Sequence, residues 1–180
     1  MLKKALFLDR DGVINVDHGY VHTIKDLKFI DGIFDLCSLA ISKNYLIIVI
    51  TNQAGIGRGF YSVSDFELLT DWMCNRFALE GILISKVYFS PYHPEHGLGA
   101  YKKNDFSRKP NPGMLIEAKA DFNLQMSDCV LVGDKVTDIQ AGHSAGVGMN
   151  ILFSSSEDNE ELVKSDYVGI TSLKEANQYL

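Results

Sequence analysis

The chain has 180 residues, of which 46% are hydrophobic and 22% charged, and a net charge of −6. This length suits one core, and no shift in composition marks a second, so we expect a single domain over residues 1–180. An acidic chain lacks the basic face that nucleic acid needs. No apolar run is long enough to span a bilayer, no secretion signal is evident, and the three cysteines form no CxxC pair. We therefore expect a cytoplasmic monomer with neither a nucleic-acid nor a membrane partner.

Short apolar runs rich in β-branched residues alternate with segments of helical periodicity, which predicts βαβ units and a parallel sheet. The predicted strands are residues 5–8, 46–50, 86–89, 129–132, 148–153 and 167–170. The predicted helices are residues 32–43, 65–79, 112–120, 138–145 and 173–180, with Asn111 as the N-cap of the third. Capping boxes are predicted to start two of these helices, Ser64 with Glu67 and Ser172 with Glu175. The expected fold is α/β, a Rossmann-like parallel sheet flanked by helices.

Polar side chains follow three of the predicted strands. The segments concerned are Asp9-Arg10-Asp11-Gly12, Thr51-Asn52-Gln53 and Gly133-Asp134-Lys135. Ligands of open α/β sheets bind at the carboxyl ends of the strands, so we expect these segments to meet at one crevice. Mg²⁺ prefers a few carboxylates, a carbonyl and waters, often shared with a substrate phosphate. Asp9, Asp11 and Asp134 are therefore predicted to hold Mg²⁺, which would compensate the charge at the end of a buried strand.

Four sequence stretches carry a resemblance to a known family. DRDGVIN, VITNQAG, RKPNPGM and VGDKVTDIQAG resemble, in order and spacing, the four motifs of haloacid-dehalogenase-type (HAD) phosphatases, over roughly residues 6–146. Within that family, INVDHGYVH, FIDGI and NQAGIGRG are most similar to phosphatases of heptose 1,7-bisphosphate, with histidinol-phosphate phosphatases as the nearest alternative. The resemblance implies Mg²⁺-dependent removal of the C7 phosphate through an aspartyl-phosphate, in heptose-nucleotide biosynthesis for surface polysaccharides such as lipopolysaccharide.

The resemblance also implies roles for the acidic residues. Asp9 would be the nucleophile, and Asp11 would protonate the departing sugar oxygen and later deprotonate water. Asp134 would complete the Mg²⁺ shell with the Asp9 carboxylate and the Asp11 backbone carbonyl. Asp138, one helical turn later, would orient that shell from behind.

Other residues are expected to bind the phosphoryl group and the sugar. Thr51 and the Asn52 amide would bind the transferring phosphoryl oxygens, and Lys109 would neutralise their charge. The stretches between the motifs leave no room for an inserted cap domain, so substrate selection should fall to loops 17–20, 55–58 and 90–108. The expected substrate-binding residues are Asp17, His18, Gly19, Tyr20, Asn52, Gln53, Ala54, Arg58, Arg108 and Lys135. The three cations of this set are candidates for a second, remote phosphate.

The long loop departs from the family pattern. Typical members bind zinc there through three cysteines and a histidine, and the matching positions in this chain are Ser90, Tyr92, Asp105 and Ser107. Hydroxyls are poor zinc ligands at neutral pH, so we expect no structural zinc in this loop. His93 and His96 are interpreted as ordinary loop histidines.

Two alternatives differ in the fate of the phosphoryl group. The chain could be a phosphotransferase that passes the aspartyl-phosphate to an acceptor other than water. It could also be a non-catalytic module that only binds sugar phosphates. A pure binder needs no nucleophile and acid together, so the presence of both Asp9 and Asp11 favours an enzyme.

Overall fold

The computed structural model describes residues 2–154 and 167–180. These residues form a six-stranded sheet in which every neighbouring pair is parallel, with the strand order β3-β2-β1-β4-β5-β6. The strands are β1 (Lys4–Leu8), β2 (Tyr45–Asn52), β3 (Ile84–Ser90), β4 (Val130–Gly133), β5 (Met149–Phe153) and β6 (Val168–Ile170). All six predicted strands are present, with ends that move by one or two residues, and the predicted fold class is confirmed.

Helices cover both faces of the sheet. They are α1 (Ile33–Ser42), α2 (Ala54–Gly57), α3 (Val63–Leu79), α4 (Gly113–Phe122) and α5 (Val136–Ala145), with 3₁₀ turns at Gly99–Tyr101, Met126–Asp128 and Leu173–Tyr179. Side chains of β1 alternate between two buried clusters, because successive residues of a strand point to opposite faces. Leu6 and Leu8 pack on the side of α1 and α3, whereas Ala5 and Phe7 pack on the side of α4 and α5.

Four predicted helix starts differ from the structure by one or two residues. The predicted capping box of Ser64 and Glu67 is wrong: Ser62 and Asp65 cap α3, because the same Ser-x-x-acid spacing occurs twice, two residues apart. Helices α1 and α4 begin at Ile33 and Gly113, each one residue after its predicted start, and α5 begins at Val136, two residues early.

The carboxyl-terminal helix also differs. The box of Ser172 with Glu175 is confirmed, but the element that it caps is a 3₁₀ turn and not an α-helix. The short helix α2 is not predicted by the sequence pattern. No helix in the described part of the chain combines the length and the apolar character needed to cross a membrane.

The order of the central strands places the polar segments side by side. Strand β1 lies between β2 and β4, and the Asp9 backbone N–H continues the ladder by donating to the Val132 carbonyl at 3.0 Å. The residues that follow these three strands therefore emerge at one edge of the sheet. Among the described residues, the connections between the strands hold no second sheet that could serve as a cap.

Candidate active site

A cavity of about 470 Å³ opens at the carboxyl edge of the sheet. Most of the predicted site residues line it: Asp9, Asp11, Asp17, Gly19, Tyr20, Asn52, Gln53, Ala54, Arg108, Lys109 and Lys135. Four predicted residues lie outside this lining: Thr51, His18, Arg58 and Asp134. Asp134 lines the adjoining cavity on the Gly12 side of the site, and Tyr61 and Thr137 line the main cavity without having been predicted.

Lys109 is the central cation of the site. Its buried ammonium lies 2.9 Å from Asp9 Oδ1 and 2.6 Å from Asp138 Oδ1, and it donates to the Ile50 carbonyl at 3.0 Å. Burial alone would lower the pKa of Lys109, but the carboxylates of Asp138 and Asp9 outweigh it and raise that pKa. Burial raises the pKa of Asp9 well above its ordinary value, against the opposing effect of Lys109. The positive charge of one buried lysine therefore does not balance the negative charge of the carboxylates around it.

The carboxylates near Lys109 form a set suited to a divalent cation. Oxygens of Asp9, Asp134 and Asp138 all lie within 4.8 Å of one another. Asp134 Oδ1 is buried and has no hydrogen-bond partner in the described structure, which is an unusual state for a carboxylate oxygen. A bound Mg²⁺ would satisfy both the orphaned oxygen and the excess charge, so the residues present fit the metal.

Two neighbours set the geometry of these acids. Gly12 has φ +93°, and a Cβ at this position would collide with the Asp134 carboxylate, so glycine allows β1 and β4 to present their acids side by side. Asp138 has both oxygens engaged, one by Lys109 and the other by the Lys135 backbone N–H at 3.0 Å. Asp138 is therefore better placed to orient Lys109 and the β4–α5 turn than to bind a metal directly.

We expect the substitution Asp134→Asn to separate metal binding from folding. Burial raises the pKa of Asp134, so its ionised form costs folding free energy at neutral pH. This cost starts to decrease as the pH falls below the raised folded-state pKa and is gone below the unfolded-state pKa. The metal-free variant should therefore match or exceed the wild type in Tm. Mg²⁺ at about 100 times its Kd should add about 2.7 kcal/mol, or roughly 5–10 °C, to the wild type alone.

Differential scanning fluorimetry with and without EDTA would measure both effects. Asp128→Asn, which removes an exposed carboxylate on the 3₁₀ turn Met126–Asp128, is the matched control and should keep the full Mg²⁺ response. An equal Mg²⁺ response in Asp134→Asn and the wild type would contradict the assignment of Asp134 as a metal ligand.

The Asp11 carboxylate is held by four donors. Arg10 reaches Asp11 Oδ1 through Nε at 3.2 Å and Oδ2 through Nη2 at 2.9 Å. Asn15 Nδ2 donates to Oδ1 and Gln53 Nε2 to Oδ2, each at 3.0 Å. Arg10 is only 1% exposed, and its Nη2 also donates to the Val21 carbonyl at 2.6 Å. Its position between two acids in the sequence was the available signal for this role, which sequence reasoning missed.

Two predicted phosphoryl ligands of β2 are engaged by the protein itself. Thr51 is fully buried, and its hydroxyl accepts from Gln53 Nε2 at 2.8 Å. The Asn52 side chain pairs with the Lys109 backbone, accepting from its N–H and donating to its carbonyl at 3.1 Å each. Asn52 thus fixes the loop that delivers Lys109. The roles of Thr51 and Asn52 toward a substrate stay predictions.

The loop at residues 17–20 forms one wall of the cavity. Asp17 accepts from the Gly19 N–H at 2.9 Å and pairs with Lys135 at 3.2 Å, and these partners outweigh burial and lower the pKa of Asp17. Tyr20 has φ +57°, in the left-handed region, and its hydroxyl accepts a hydrogen bond from Arg58. Arg58 therefore supports Tyr20 from outside the cavity. The predicted substrate contacts of His18 and Arg58 stay predictions.

The four positions that differ from the family's zinc ligands lie in a polar cluster. The hydroxyls of Ser90 and Ser107 are 2.9 Å apart, and Ser107 donates to Asp105 at 2.6 Å. Lys103 lies 2.8 Å from Asp105 and 4.2 Å from the centre of the Tyr92 ring. Burial would raise the pKa of Asp105, but Lys103 and Ser107 lower it to about 2.

This polar cluster leads directly to the cavity. The half-buried Arg108 donates through Nη1 to the Tyr92 carbonyl at 2.9 Å and lines the cavity wall. His93 accepts the backbone N–H groups of Glu95 and His96 on Nδ1, at 3.2 and 3.1 Å, so that nitrogen is not available to a metal.

Comparisons with known proteins agree with this geometry. The HAD-hydrolase-like family profile matches residues 106–176. D-glycero-alpha-D-manno-heptose-1,7-bisphosphate 7-phosphatase of Burkholderia mallei is 58% identical over 152 residues, which cover 84% of this chain and 80% of that protein. The beta-anomer 7-phosphatase of Vibrio cholerae is 44% identical over 184 residues, covering 100% of this chain and 97% of that protein.

A solved structure shares the fold. The D,D-heptose 1,7-bisphosphate phosphatase of B. bronchiseptica, complexed with magnesium and phosphate, aligns with a TM-score of 0.83 at 23% identity and covers 98% of this chain and 97% of that one. The extensive identity to the two curated relatives is the stronger result, because it spans the motifs that build the cavity. This chain therefore belongs to the HAD-like family of D-glycero-D-manno-heptose-1,7-bisphosphate 7-phosphatases, which are phosphoric monoester hydrolases.

Proposed function

We propose that this chain is a Mg²⁺-dependent phosphatase that removes the C7 phosphate of D-glycero-D-manno-heptose 1,7-bisphosphate. The observation that carries the proposal is the Asp9 carboxylate, held 2.9 Å from Lys109 beside the partnerless oxygen of Asp134, in a cavity that Arg108 also lines. The identity of the sugar is taken from the names of the two relatives. The corresponding pathway is heptose-nucleotide biosynthesis for surface polysaccharides.

The proposed chemistry has two steps, both through Asp9. An Asp9 oxygen attacks phosphorus, the bond from phosphorus to the sugar oxygen breaks, and the leaving oxygen takes a proton from Asp11. Water then attacks the aspartyl-phosphate, Asp11 accepts the proton of that water, and release of phosphate restores the Asp9 carboxylate. Mg²⁺ held by Asp9, Asp134 and the Asp11 carbonyl would supply positive charge beside the phosphoryl oxygens.

Lys109 and Asp11 are suited to these steps by their contacts. Lys109 carries its charge next to the Asp9 oxygen, where negative charge shifts as the bond to phosphorus forms. Asp11 lies at the cavity surface, with four donors fixing its carboxylate, so a bound leaving group meets a group that is already oriented.

A bisphosphate needs a second anion site away from the metal, and Arg108 and Lys135 are the cations that line the cavity besides Lys109. Arg108 has one nitrogen committed to the Tyr92 carbonyl and a further face toward the cavity. Lys135 is 56% exposed and is already paired with Asp17 and Asp134, so it has less free charge to offer. We therefore assign the remote phosphate chiefly to Arg108.

Phosphate release from a substrate panel tests the function. The panel contains both anomers of the heptose bisphosphate, histidinol phosphate and p-nitrophenyl phosphate, and ³¹P NMR identifies which phosphate leaves. We expect the bisphosphates to exceed histidinol phosphate at least about 100-fold in kcat/KM, with the alpha anomer preferred because the 58%-identical relative is named for it. Preference for histidinol phosphate, or release of the C1 phosphate, would contradict the proposal.

The substitution Arg108→Ala should reduce kcat/KM for the heptose bisphosphate about 10- to 100-fold, because a charge-assisted contact to the remote phosphate is lost. Hydrolysis of p-nitrophenyl phosphate, which has no remote phosphate, should stay within about threefold of the wild type. Lys102→Ala removes an exposed cation of the same loop and is the matched control, with no loss on either substrate. Equal losses of Arg108→Ala on both substrates would show that Arg108 serves the reacting phosphate instead.

The proposal extends to the state of the protein. The enzyme is taken to be cytoplasmic and to form one domain over residues 1–180, with no nucleic-acid or membrane partner, as its composition and lack of long apolar runs predict. It is also taken to be a monomer. Its long loop is taken to be held without zinc, by the contacts among Lys103, Asp105 and Ser107.

A further inference from the structure

The side chain of Gln53 makes three contacts in the cavity wall. Its Nε2 group donates to Asp11 Oδ2 at 3.0 Å and to the Thr51 hydroxyl at 2.8 Å, and its Oε1 accepts from the Tyr61 hydroxyl at 2.6 Å. The residue is only 1% exposed. Both amide hydrogens and the amide oxygen are thus committed to protein partners, which leaves little for a substrate.

Tyr61 and Asp11 together fix which way the Gln53 amide faces. If the amide were reversed, its oxygen would face the Asp11 carboxylate, which offers no hydrogen to it while ionised. The Tyr61 hydroxyl reinforces the observed orientation because it donates to Oε1, and burial raises the pKa of Tyr61 to about 12, so the proton stays in place.

The Tyr61 ring is itself held on two sides. A Cβ on Gly55 would collide with the ring, so only glycine at this position allows Tyr61 to lie against α2 and reach Gln53. The other neighbour is His22, whose ring stacks on Tyr61 with centroids 4.9 Å apart and an interplanar angle of 2°. The hydroxyl is therefore held in one place by packing that involves neither the metal nor the phosphate.

We propose that Gln53 and Tyr61 form a positioning pair, in which the Tyr61 hydroxyl orients the Gln53 amide and the amide holds the Asp11 carboxylate in its working position. The inference depends on the proposed function, since Asp11 acts there as the acid and base. Gln53 is then a link between the ends of β1 and β2, in place of the substrate contact that its sequence position predicts.

The pair acts through Asp11, so the loss of activity in variants of the pair should depend on the leaving group of the substrate. An alkyl phosphate releases a strongly basic alkoxide and needs a proton from Asp11, whereas p-nitrophenyl phosphate releases a stable phenolate that needs none. Hydrolysis of the aspartyl-phosphate needs Asp11 as a base with either substrate, so the comparison is made on the first turnover. There, a variant with a misplaced Asp11 should be slowed mainly on the alkyl substrate. A residue that binds substrate or only supports the fold would show no such selectivity.

The experiment uses Tyr61→Phe, Gln53→Met and the double variant, assayed with glycerol phosphate and p-nitrophenyl phosphate in Mg²⁺. On glycerol phosphate we expect kcat to fall about 5- to 10-fold for Tyr61→Phe and about 10- to 100-fold for Gln53→Met, with KM unchanged. On p-nitrophenyl phosphate, the first-turnover rate of p-nitrophenolate release should stay within about threefold. The double variant should be no worse than Gln53→Met, because Tyr61 acts only through Gln53.

Tyr88→Phe is the matched control, because it also removes a hydrogen-bonded tyrosine hydroxyl, whose partner is Asp121 on α4, outside the cavity. It should leave both rates unchanged. Additive losses in the double variant, equal losses on the two substrates, or a rise in KM alone would overturn the positioning pair. The rates of the wild-type enzyme test the proposed function, and the ratios of variant to wild-type rates test the positioning pair. The two hypotheses can therefore fail independently.

Discussion

Replacing Asp9 by asparagine is expected to reduce phosphate release by at least about 10⁴-fold on every substrate. An amide is not a nucleophile toward phosphorus and is not an anionic metal ligand, so the first chemical step is lost. The loss should not depend on the leaving group, because formation of the aspartyl-phosphate precedes every later event. This independence distinguishes Asp9 from Asp11.

The Asp9→Asn protein should remain folded. Lys109 keeps its contacts with Asp138 and the Ile50 carbonyl. The neutral amide also avoids the free-energy cost of burying a charged carboxylate, the effect that raises the pKa of Asp9. Thermal unfolding without Mg²⁺ should give a Tm at or above that of the wild type, and steady-state assays of phosphate release measure the rate. Asp128→Asn is again the control for a lost surface carboxylate. Turnover within tenfold of the wild type would exclude Asp9 as the nucleophile.

Asp11→Asn should reduce kcat about 10²- to 10⁴-fold on alkyl phosphates, the range expected when a general acid and base is removed. The structure adds a second expectation. All four donors around Asp11 point at oxygens, so the amide NH₂ of asparagine must face at least one of them. We therefore expect a loss of about 1–3 kcal/mol in the free energy of unfolding, in contrast to Asp9→Asn.

Two measurements test the Asp11 variant together. The Mg²⁺-dependent rise in Tm should survive, because the Asp11 contribution to the metal is its backbone carbonyl. The first-turnover release of p-nitrophenolate should suffer far less than that of glycerol, because only the second step then needs Asp11. Rates at the wild-type level on glycerol phosphate, with an unchanged Mg²⁺ response, would refute the role of Asp11 in proton transfer.

Much of the fold and the centre of the site could be predicted from local patterns. Apolar runs of β-branched residues separated by helical stretches predict all six strands. The signal is clearest for the central strands, because a strand buried on both faces needs an unbroken apolar sequence. The rule that ligands meet the carboxyl ends of parallel strands then predicts that Asp9, Asp11 and Asp134 lie together. These predictions succeed because each depends on a residue's position within its own strand, which neighbouring residues in the sequence determine.

The tertiary structure decided how those acids are held, and the reason is distance along the chain. Lys109 meets Asp9 one hundred residues away in sequence and Asp138 on α5, and no periodicity or short motif encodes either distance. The burial of Arg10 also depends on packing, because its guanidinium donates to the Val21 carbonyl. The hydrogen bond from Tyr61 to Gln53 depends on Gly55, whose missing side chain leaves room for the Tyr61 ring. Sequence patterns identify groups that can do chemistry, whereas their orientation follows from contacts that exist only once distant segments have packed against one another.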